Sequence, residues 1–329
     1  MNDQSQNGTL VTGGRGFIGA ALVAALSKAG FPTQPGVRNP RSPAELACDL
    51  DDVAQTRRAV RNVRLVVHTA YGDLSAMERQ CANLLAAMSE ARVDSLVYFS
   101  SIAVYGERDG EIIETDSAVG ALDAYAAGKI ACEKLVRTWA EDSAHASRRA
   151  IVLRPGIVYG AGSRYWIDRL AQRIRAGVWG DFGADGEGVA ALIHIDDLAD
   201  LVTRAASRLF GDDRISLPCC ATLNAVGPET PSWNAYFGAL ASALGAPPLP
   251  ALDTATLARR APVALAAKVW RRVGLPGFEK QALIPATGEF ALFRRKSHYA
   301  TTASRDLLGF VPTISMADGL TRSFSQTKR

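Results

Sequence analysis

Tyr125 and Lys129 stand four positions apart in YAAGK, inside a run that reads as helix. Positions i and i+4 share a helix face, so phenol and ammonium point the same way. A free tyrosine titrates near about 10 and exchanges its proton poorly at neutral pH. An ammonium beside it stabilises the phenolate and lowers that value, which makes the pair a tunable acid and base. Upstream, VYFSSIAVYG (97–106) ends an apolar run in Ser100 and Ser101, and a hydroxyl there can hold a substrate oxygen. Earlier still, TLVTGGRGFIGAAL sets Gly13, Gly16 and Gly19 in a GxxGxxG spacing between an apolar run and a helical one. Glycines in that setting permit a tight turn and close approach of backbone to a pyrophosphate, and the helix N-terminus adds free N–H groups. Singly, these features are a surface pair, a strand-end cap and a structural loop. In this order they specify an active site that works with a nucleotide.

The end of the second strand chooses the dinucleotide. NAD binders place Asp or Glu about 20 residues beyond the loop to hold the ribose 2′-OH. The corresponding stretch, FPTQPGVRNP, offers Val37 and Arg38 and no carboxylate. An arginine suits a 2′-phosphate, and Arg15 within the loop is placed to assist. NADP(H) is therefore favoured, with NAD(H) as the alternative. Asp49 and Leu50, in CDLDD, fall where a strand end meets the adenine.

These residues need a scaffold, and the first half of the chain supplies its pattern. Apolar runs at 8–13, 63–70, 94–101 and 148–156 alternate with helical stretches at 16–30, 51–62, 73–92 and 122–143. That alternation predicts an α/β fold, a Rossmann-type doubly wound parallel sheet covered on both faces. After about residue 160 the rhythm breaks and Pro and Gly become frequent. A smaller, mostly helical substrate region is expected there. The division is residues 1–160 for the NAD(P)-binding domain and 161–329 mainly for substrate, with about 190–226 returning to the first domain.

Composition excludes several classes. The net charge is +4 over 329 residues, and the arginine pairs (Arg57–Arg58, Arg148–Arg149, Arg259–Arg260, Arg271–Arg272) are scattered. No nucleic-acid partner is expected. No apolar run reaches the roughly 18 residues of a membrane span. The start, MNDQSQN, does not read as a signal peptide. Five cysteines (Cys48, Cys81, Cys132, Cys219, Cys220) form no CxxC and read as small buried thiols of a cytoplasmic protein.

At this point the chain resembles the extended short-chain dehydrogenases/reductases, the epimerase/dehydratase-like group. TGGRGFIG, the HTA after the fourth strand, SSIAVYG, YAAGK, LRPGIVYG, HIDDLAD and the tail LLGFVPTISMADGL stand in that family's order. The resemblance implies Tyr125 as general acid/base, Lys129 on the nicotinamide ribose, and Ser101 polarising the substrate C–O group, with Ser100 second. It implies cofactor contacts from Gly13, Arg15, Gly16, Phe17, Ile18, Gly19, Arg38, Asp49, Leu50, Thr69, Ala70, Tyr125, Lys129, Pro155 and Ile157.

Departures choose the branch. Nucleotide-sugar epimerases and dehydratases carry an asparagine where RPGIVYG has Ile157, and an arginine where Ala190, Ala191 and Leu192 precede His194. A diphosphate would lose charge-assisted hydrogen bonds at both places. The pattern is closer to the hydroxysteroid dehydrogenase and dihydroflavonol reductase-like branch. There the basic, amphipathic segment 255–278 would belong to the substrate lid, or else be an ordinary surface helix. Tyr165, Trp166, Trp179, Phe182 and Phe293 are expected on the substrate side, some of them merely as core. His194 and Asp196 read as structural, and no metal spacing is present. The expected function is an NADP(H)-dependent oxidoreductase interconverting a ketone or aldehyde and an alcohol on a mostly uncharged small molecule. The alternatives are a nucleotide-sugar epimerase or dehydratase with tightly held NAD, and a non-catalytic NADP(H)-binding sensor. Small apolar residues on the helices near 73–92 and 122–143 suggest a homodimer.

Overall fold

The computed structural model describes residues 8–118, 121–273, 276–285 and 288–325. The polar start at 1–7 and part of the 255–278 segment lie outside them. Eleven strands are described: β1 (Gly8–Thr12), β2 (Thr33–Val37), β3 (Leu46–Ala47), β4 (Val63–His68), β5 (Ser95–Phe99), β6 (Gly110–Ile112), β7 (Arg149–Pro155), β8 (Ile157–Tyr159), β9 (Leu192–His194), β10 (Cys220–Ala225) and β11 (Ser297–Tyr299). The helices are α1 (Phe17–Lys28), α2 (Val53–Ala59), α3 (Met77–Glu90), α4 (Ala124–Ala140), α5 (Arg169–Arg175), α6 (Ile195–Phe210), α7 (Trp233–Ala243), α8 (Thr254–Arg272), α9 (Glu279–Ala282), α10 (Glu289–Phe293), α11 (Thr302–Leu308) and α12 (Met316–Ser325).

Seven strands form one parallel sheet in the order β10-β7-β5-β4-β1-β2-β3. Its central strands are near-continuous runs of Val, Leu and Ile because both faces are covered. On one face α1 and α6 bury Leu22, Leu26, Leu198, Leu201 and Val202. On the other, α2, α3 and α4 bury Val60, Leu84, Leu85, Met88, Cys132 and Val136. This is the doubly wound Rossmann-type arrangement expected above. The chain runs outward from β1 through β2 to β3, then crosses back to β4 on the other side of β1. Such a reversal leaves a crevice at the carboxyl ends of the strands, where ligands of open α/β sheets bind.

Beyond β7 a third core forms around Trp179, Phe182, Trp233, Phe237 and Phe293. Their rings meet at 4.8–6.1 Å between centroids, mostly edge-on or tilted, with Phe182 and Phe293 stacked. Trp179, Phe182 and Phe293 were expected beside the substrate; they are at most 4% exposed and pack this core instead. Aromatic rings bury more area than any other side chain, and a small domain spends them on itself. The acidic pair in HIDDLAD holds the tail: Asp197, buried at the start of α6, accepts N–H bonds from Thr313 and Ile314. His194 caps α6, its Nδ1 accepting from the Asp196 N–H at 3.2 Å.

Candidate active site

The crevice opens into a cavity of about 760 Å³, built by the loops that follow β1, β2, β4, β5 and β7. Gly13, Arg15, Gly16, Phe17, Ile18 and Gly19 form its floor. Gly13 has φ +70°, a left-handed conformation that favours glycine. A Cβ on Gly19 would lie 2.2 Å from the Gly13 carbonyl oxygen, so the first turn of α1 packs on the loop only without a side chain. Gly16 begins α1 with no side-chain cap, and Phe17, Ile18 and Gly19 face the cavity. Uncapped first-turn N–H groups at the positive end of a helix suit a pyrophosphate, so the residues present fit a dinucleotide.

Around the far end of this cradle lie Arg38, Asn39, Arg41, Asp49, Leu50 and Asp51. Arg15 behaves differently from its expectation. Its guanidinium grips the Glu45 carboxylate through both Nε and Nη2 and donates to the Asn39 carbonyl at 2.9 Å. Glu45 also accepts the Arg41 N–H at 2.6 Å, and these contacts, the Arg15 bond first, pull its carboxyl below the usual range. Arg15 therefore ties the 39–45 loop to the phosphate loop, and the one nearby glutamate is already engaged. Thr69 and Ala70 follow β4 and close the middle of the cavity, anchored by Thr69 Oγ1 donating to the Thr12 carbonyl at 2.6 Å.

The tyrosine and lysine sit on the first two turns of α4. Asp123 caps that helix by accepting the Ala126 N–H at 2.8 Å, which fixes where the i, i+4 face begins. Lys129 is buried and donates to the Phe99 carbonyl at 2.6 Å. Its Nζ lies 5.2, 5.5 and 5.7 Å from the ring centroids of Tyr98, Tyr71 and Tyr125. Burial lowers its ammonium to about 8. Burial likewise pushes the Tyr125 phenol up to about 12, against a smaller pull downward from the Ser101 hydroxyl. The sequence expectation of a phenol tuned down by Lys129 is thus reversed in the protein alone. The ammonium is spent on the Phe99 carbonyl and three ring faces, and desolvation decides.

The serines separate by burial. Ser100 is 3% exposed and donates to Glu133. Ser101 is half-buried, caps the turn 102–105 through the Ala103 N–H at 3.2 Å, and faces the cavity with Tyr125. Glu133 in turn takes two bonds from Arg154, at 2.9 and 2.6 Å, in a buried ion pair. Arg154 stacks on Tyr105 at 4.6 Å, and Tyr105 donates to Asn224 at 2.7 Å. This chain of polar groups backs the site from β5 through α4 and β7 to β10.

All but one of the catalytic and cofactor-binding residues named from the sequence line this cavity. Pro155 does, between Phe99 and Gly156, but Ile157 does not. Side chains alternate along a strand, so Gly156 and Val158 face the cavity while Ile157 turns into the aromatic core. At the open end, Tyr165 and Trp166 are joined by Ser163, Arg164, Tyr71 and Gly72. Tyr71 was not singled out from the sequence. It is half-exposed, with its ring 5.6 Å from that of Tyr125. Its only signal was an exposed aromatic directly after the HTA of β4. Glu133 also escaped notice, although it lies on the Tyr125–Lys129 face one turn further on. No residue of α8 lines the cavity, so the expected lid segment stands apart from it among the described residues.

Known proteins share this fold. The "NAD dependent epimerase/dehydratase family" profile matches residues 9–214. Short-chain dehydrogenase/reductase family 42E member 1 of Danio rerio is 26% identical over 235 residues, 63% of this chain and 60% of that protein. UDP-glucose 4-epimerase of Vibrio cholerae is 26% identical over 258 residues, 68% of this chain and 77% of that one. Among solved structures, MoeE5 in complex with UDP-glucose and NAD superposes with TM-score 0.72 at 23% identity, covering 98% of this chain and 99% of the other. UDP-glucose 4-epimerase of Thermotoga maritima with UDP-glucose gives 0.72 at 20%, covering 98% and 100%. With the glycine cradle, the Ser101–Tyr125–Lys129 cluster and a match to well over half its length, the chain belongs to the NAD-dependent epimerase/dehydratase family, the extended short-chain dehydrogenases/reductases.

Proposed function

We propose that the protein is an NADP(H)-dependent oxidoreductase that interconverts a ketone or aldehyde and an alcohol on a mostly uncharged small molecule. The observation that carries this reading is the basic far end of the cavity. There Arg38, Asn39 and Arg41 line the cavity with Asp49 and Asp51, two arginines that suit a 2′-phosphate, and Glu45 is held by Arg15. Outside the cavity lining, the positions where the resemblance expects contacts to a substrate diphosphate are apolar: Ile157, Ala190, Ala191 and Leu192 are all buried. Residues 1–160 with 190–226 would then serve the cofactor, and most of the remainder the substrate.

A nicotinamide dinucleotide bound along the cradle supplies or accepts the hydride. The chain's own groups handle the proton and the oxygen. Ser101 donates a hydrogen bond to the substrate oxygen and fixes it beside Tyr125. The Tyr125 phenol, kept protonated by burial, delivers its proton to that oxygen in reduction. Lys129 keeps a positive charge against the ring faces of Tyr71 and Tyr125, which favours negative charge arising on the phenol oxygen. Tyr71 and Tyr165 screen the reacting atoms from bulk water.

A second reading has its own observation. Arg164 is exposed at the cavity's open end and could meet a phosphate, and several similar structures contain UDP-sugars with NAD. The two readings part in one experiment. The purified protein is denatured and its released nucleotide identified, and fresh protein is screened with NADPH against carbonyl compounds and, separately, with UDP-glucose. NADPH consumption with a carbonyl and no stoichiometric bound NAD is expected. Tightly bound NAD with sugar epimerisation would overturn the proposal in favour of the second reading.

A further inference from the structure

We infer that α8 is a docking surface for an anionic lipid bilayer, on which the protein rests without crossing it. Fourteen large apolar side chains are exposed among the described residues, and six of them fall within 263–278: Val263, Leu265, Val269, Trp270, Val273 and Phe278, each 43–67% exposed. At about 100° per residue, the five on the helix and its last turn fall within an arc of about 160°. This face is not the one that packs on the body. Ala264 and Ala267 are buried, and Ala264 joins Val178, Leu283 and Ile284 in a small cluster. The helix is thus apolar toward the protein and again toward solvent. Soluble proteins rarely leave such a cluster uncovered without a partner.

Charge selects the occupant. Residues 253–280 contain six basic residues, Arg259, Arg260, Lys268, Arg271, Arg272 and Lys280, against Asp253 and Glu279. Arg259 and Arg260 are exposed about one turn before Val263, at the start of the apolar arc. A two-fold contact with a second copy would set this basic segment against itself, with like charges opposed. Anionic headgroups complement it, and a basic helix presenting Trp, Leu and Val is the composition that lies in a membrane interface. Trp270 is arranged for that depth: its Nε1–H is satisfied by the Pro276 carbonyl at 3.0 Å, while its ring, 6.0 Å from that of Phe278, stays exposed. No described helix is long and apolar enough to span a membrane, so the contact is superficial.

The test is co-sedimentation of the full chain with sucrose-loaded vesicles, either phosphatidylcholine alone or mixed with phosphatidylglycerol. Retention on the mixed vesicles only is expected, with release in about 1 M salt, where charges are screened beyond about 3 Å. The double variant Leu265→Glu/Val269→Glu should partition on the order of tenfold less or weaker, because two buried apolar groups become repelled charges. Its melting temperature and solution mass should match the parent's, since neither side chain packs in the fold. Failure of the parent to sediment with anionic vesicles would overturn the proposal. So would equal retention of the variant, or a fall in solution mass in the variant, which would assign this face to a second copy.

Discussion

At the scale of single residues, Tyr125 and Lys129 carry the sharpest expectations. Tyr125→Phe keeps the ring and removes the transferable proton, so turnover should fall roughly 10²- to 10⁴-fold with cofactor binding intact. Steady-state kinetics on any carbonyl found by screening decides this, and near-full activity would remove Tyr125 from the mechanism. The pH dependence has a defined sign. Burial raises the phenol to about 12 in the protein alone, so the acid form dominates at neutral pH and reduction needs no deprotonation first. Alcohol oxidation needs the phenolate and should accelerate as pH rises, a limb absent in Tyr125→Phe. Lys129 offers a separate measurement. Its ammonium falls to about 8 on burial, while the unfolded chain keeps the ordinary value of about 10.4. Between those values the unfolded state binds more protons, so stability rises with pH there, and below pH 8 the full penalty of a buried ammonium is present. Lys129→Met should therefore raise the melting temperature at pH 7, with the gain fading above pH 8, while turnover and cofactor affinity drop. Differential scanning calorimetry across that range tests it. Arg38→Ala should weaken NADPH binding on the order of tenfold or more and leave NADH nearly unchanged, as a titration of both would report. A parent that binds NADH as tightly as NADPH would remove Arg38 from the 2′-phosphate role.

At the scale of elements, the sequence was most legible where one residue type has one physical job. Gly13 and Gly19 are glycines because of a positive φ and a 2.2 Å approach, and the β1–α1 turn could be read from them alone. The runs of β4, β5 and β7 announced a buried parallel sheet. β2 was placed only by its distance from the glycine loop, because TQPGV carries a proline and a glycine that ordinarily argue against a strand. The substrate side was legible only in part. Tyr165 and Trp166 reach the cavity, yet Trp179, Phe182 and Phe293, identical in type, pack the core of the small domain. Which aromatic faces a ligand is fixed by long-range packing, and periodicity does not encode it. Ile157 failed as a simple assignment for the same reason, turned away by strand alternation, and the partner 30 residues away that engages Arg15, which still lines the cavity, was equally hidden. The Ser100–Glu133–Arg154 chain was invisible because its members are remote in sequence. It is also the element whose loss should matter most. Arg154→Met leaves Glu133 buried and uncompensated, and breaking such a pair costs about 3–5 kcal/mol. A melting temperature within a degree or two of the parent's would show that the network does not hold the site's back wall.

At the scale of the whole molecule, α3 and α4 pack side by side on one face of the sheet. Their outward surface carries Ala82, Ala86, Ala127 and Ala131, residues small enough for close approach of a second pair of helices. A homodimer built there should appear in light scattering at micromolar concentration at twice the 35.0 kDa chain mass. A monomer mass would leave these alanines as a plain solvent face. Charging the surface, as in Ala86→Glu/Ala131→Glu, should dissociate such a dimer without altering the mass-independent melting of each chain's core.

The position of β10 has a consequence for how the protein is made. This strand hydrogen-bonds to β7, yet it leaves the ribosome some 65 residues later. At about 5–20 residues per second, the edge of β7 waits on the order of ten seconds with its N–H and C=O groups unpaired. During that interval Asn224 is missing, so Tyr105 and Arg154 have no far anchor and the half-made sheet presents an adhesive rim. A chain stopped near residue 160 should accumulate in inclusion bodies, whereas one extended through α6 and β10 to residue 226 should become markedly more soluble. The site at the front of the sheet thus depends on a late arrival at its edge, and nascent chains of this protein should be frequent clients of chaperones that shield open strands.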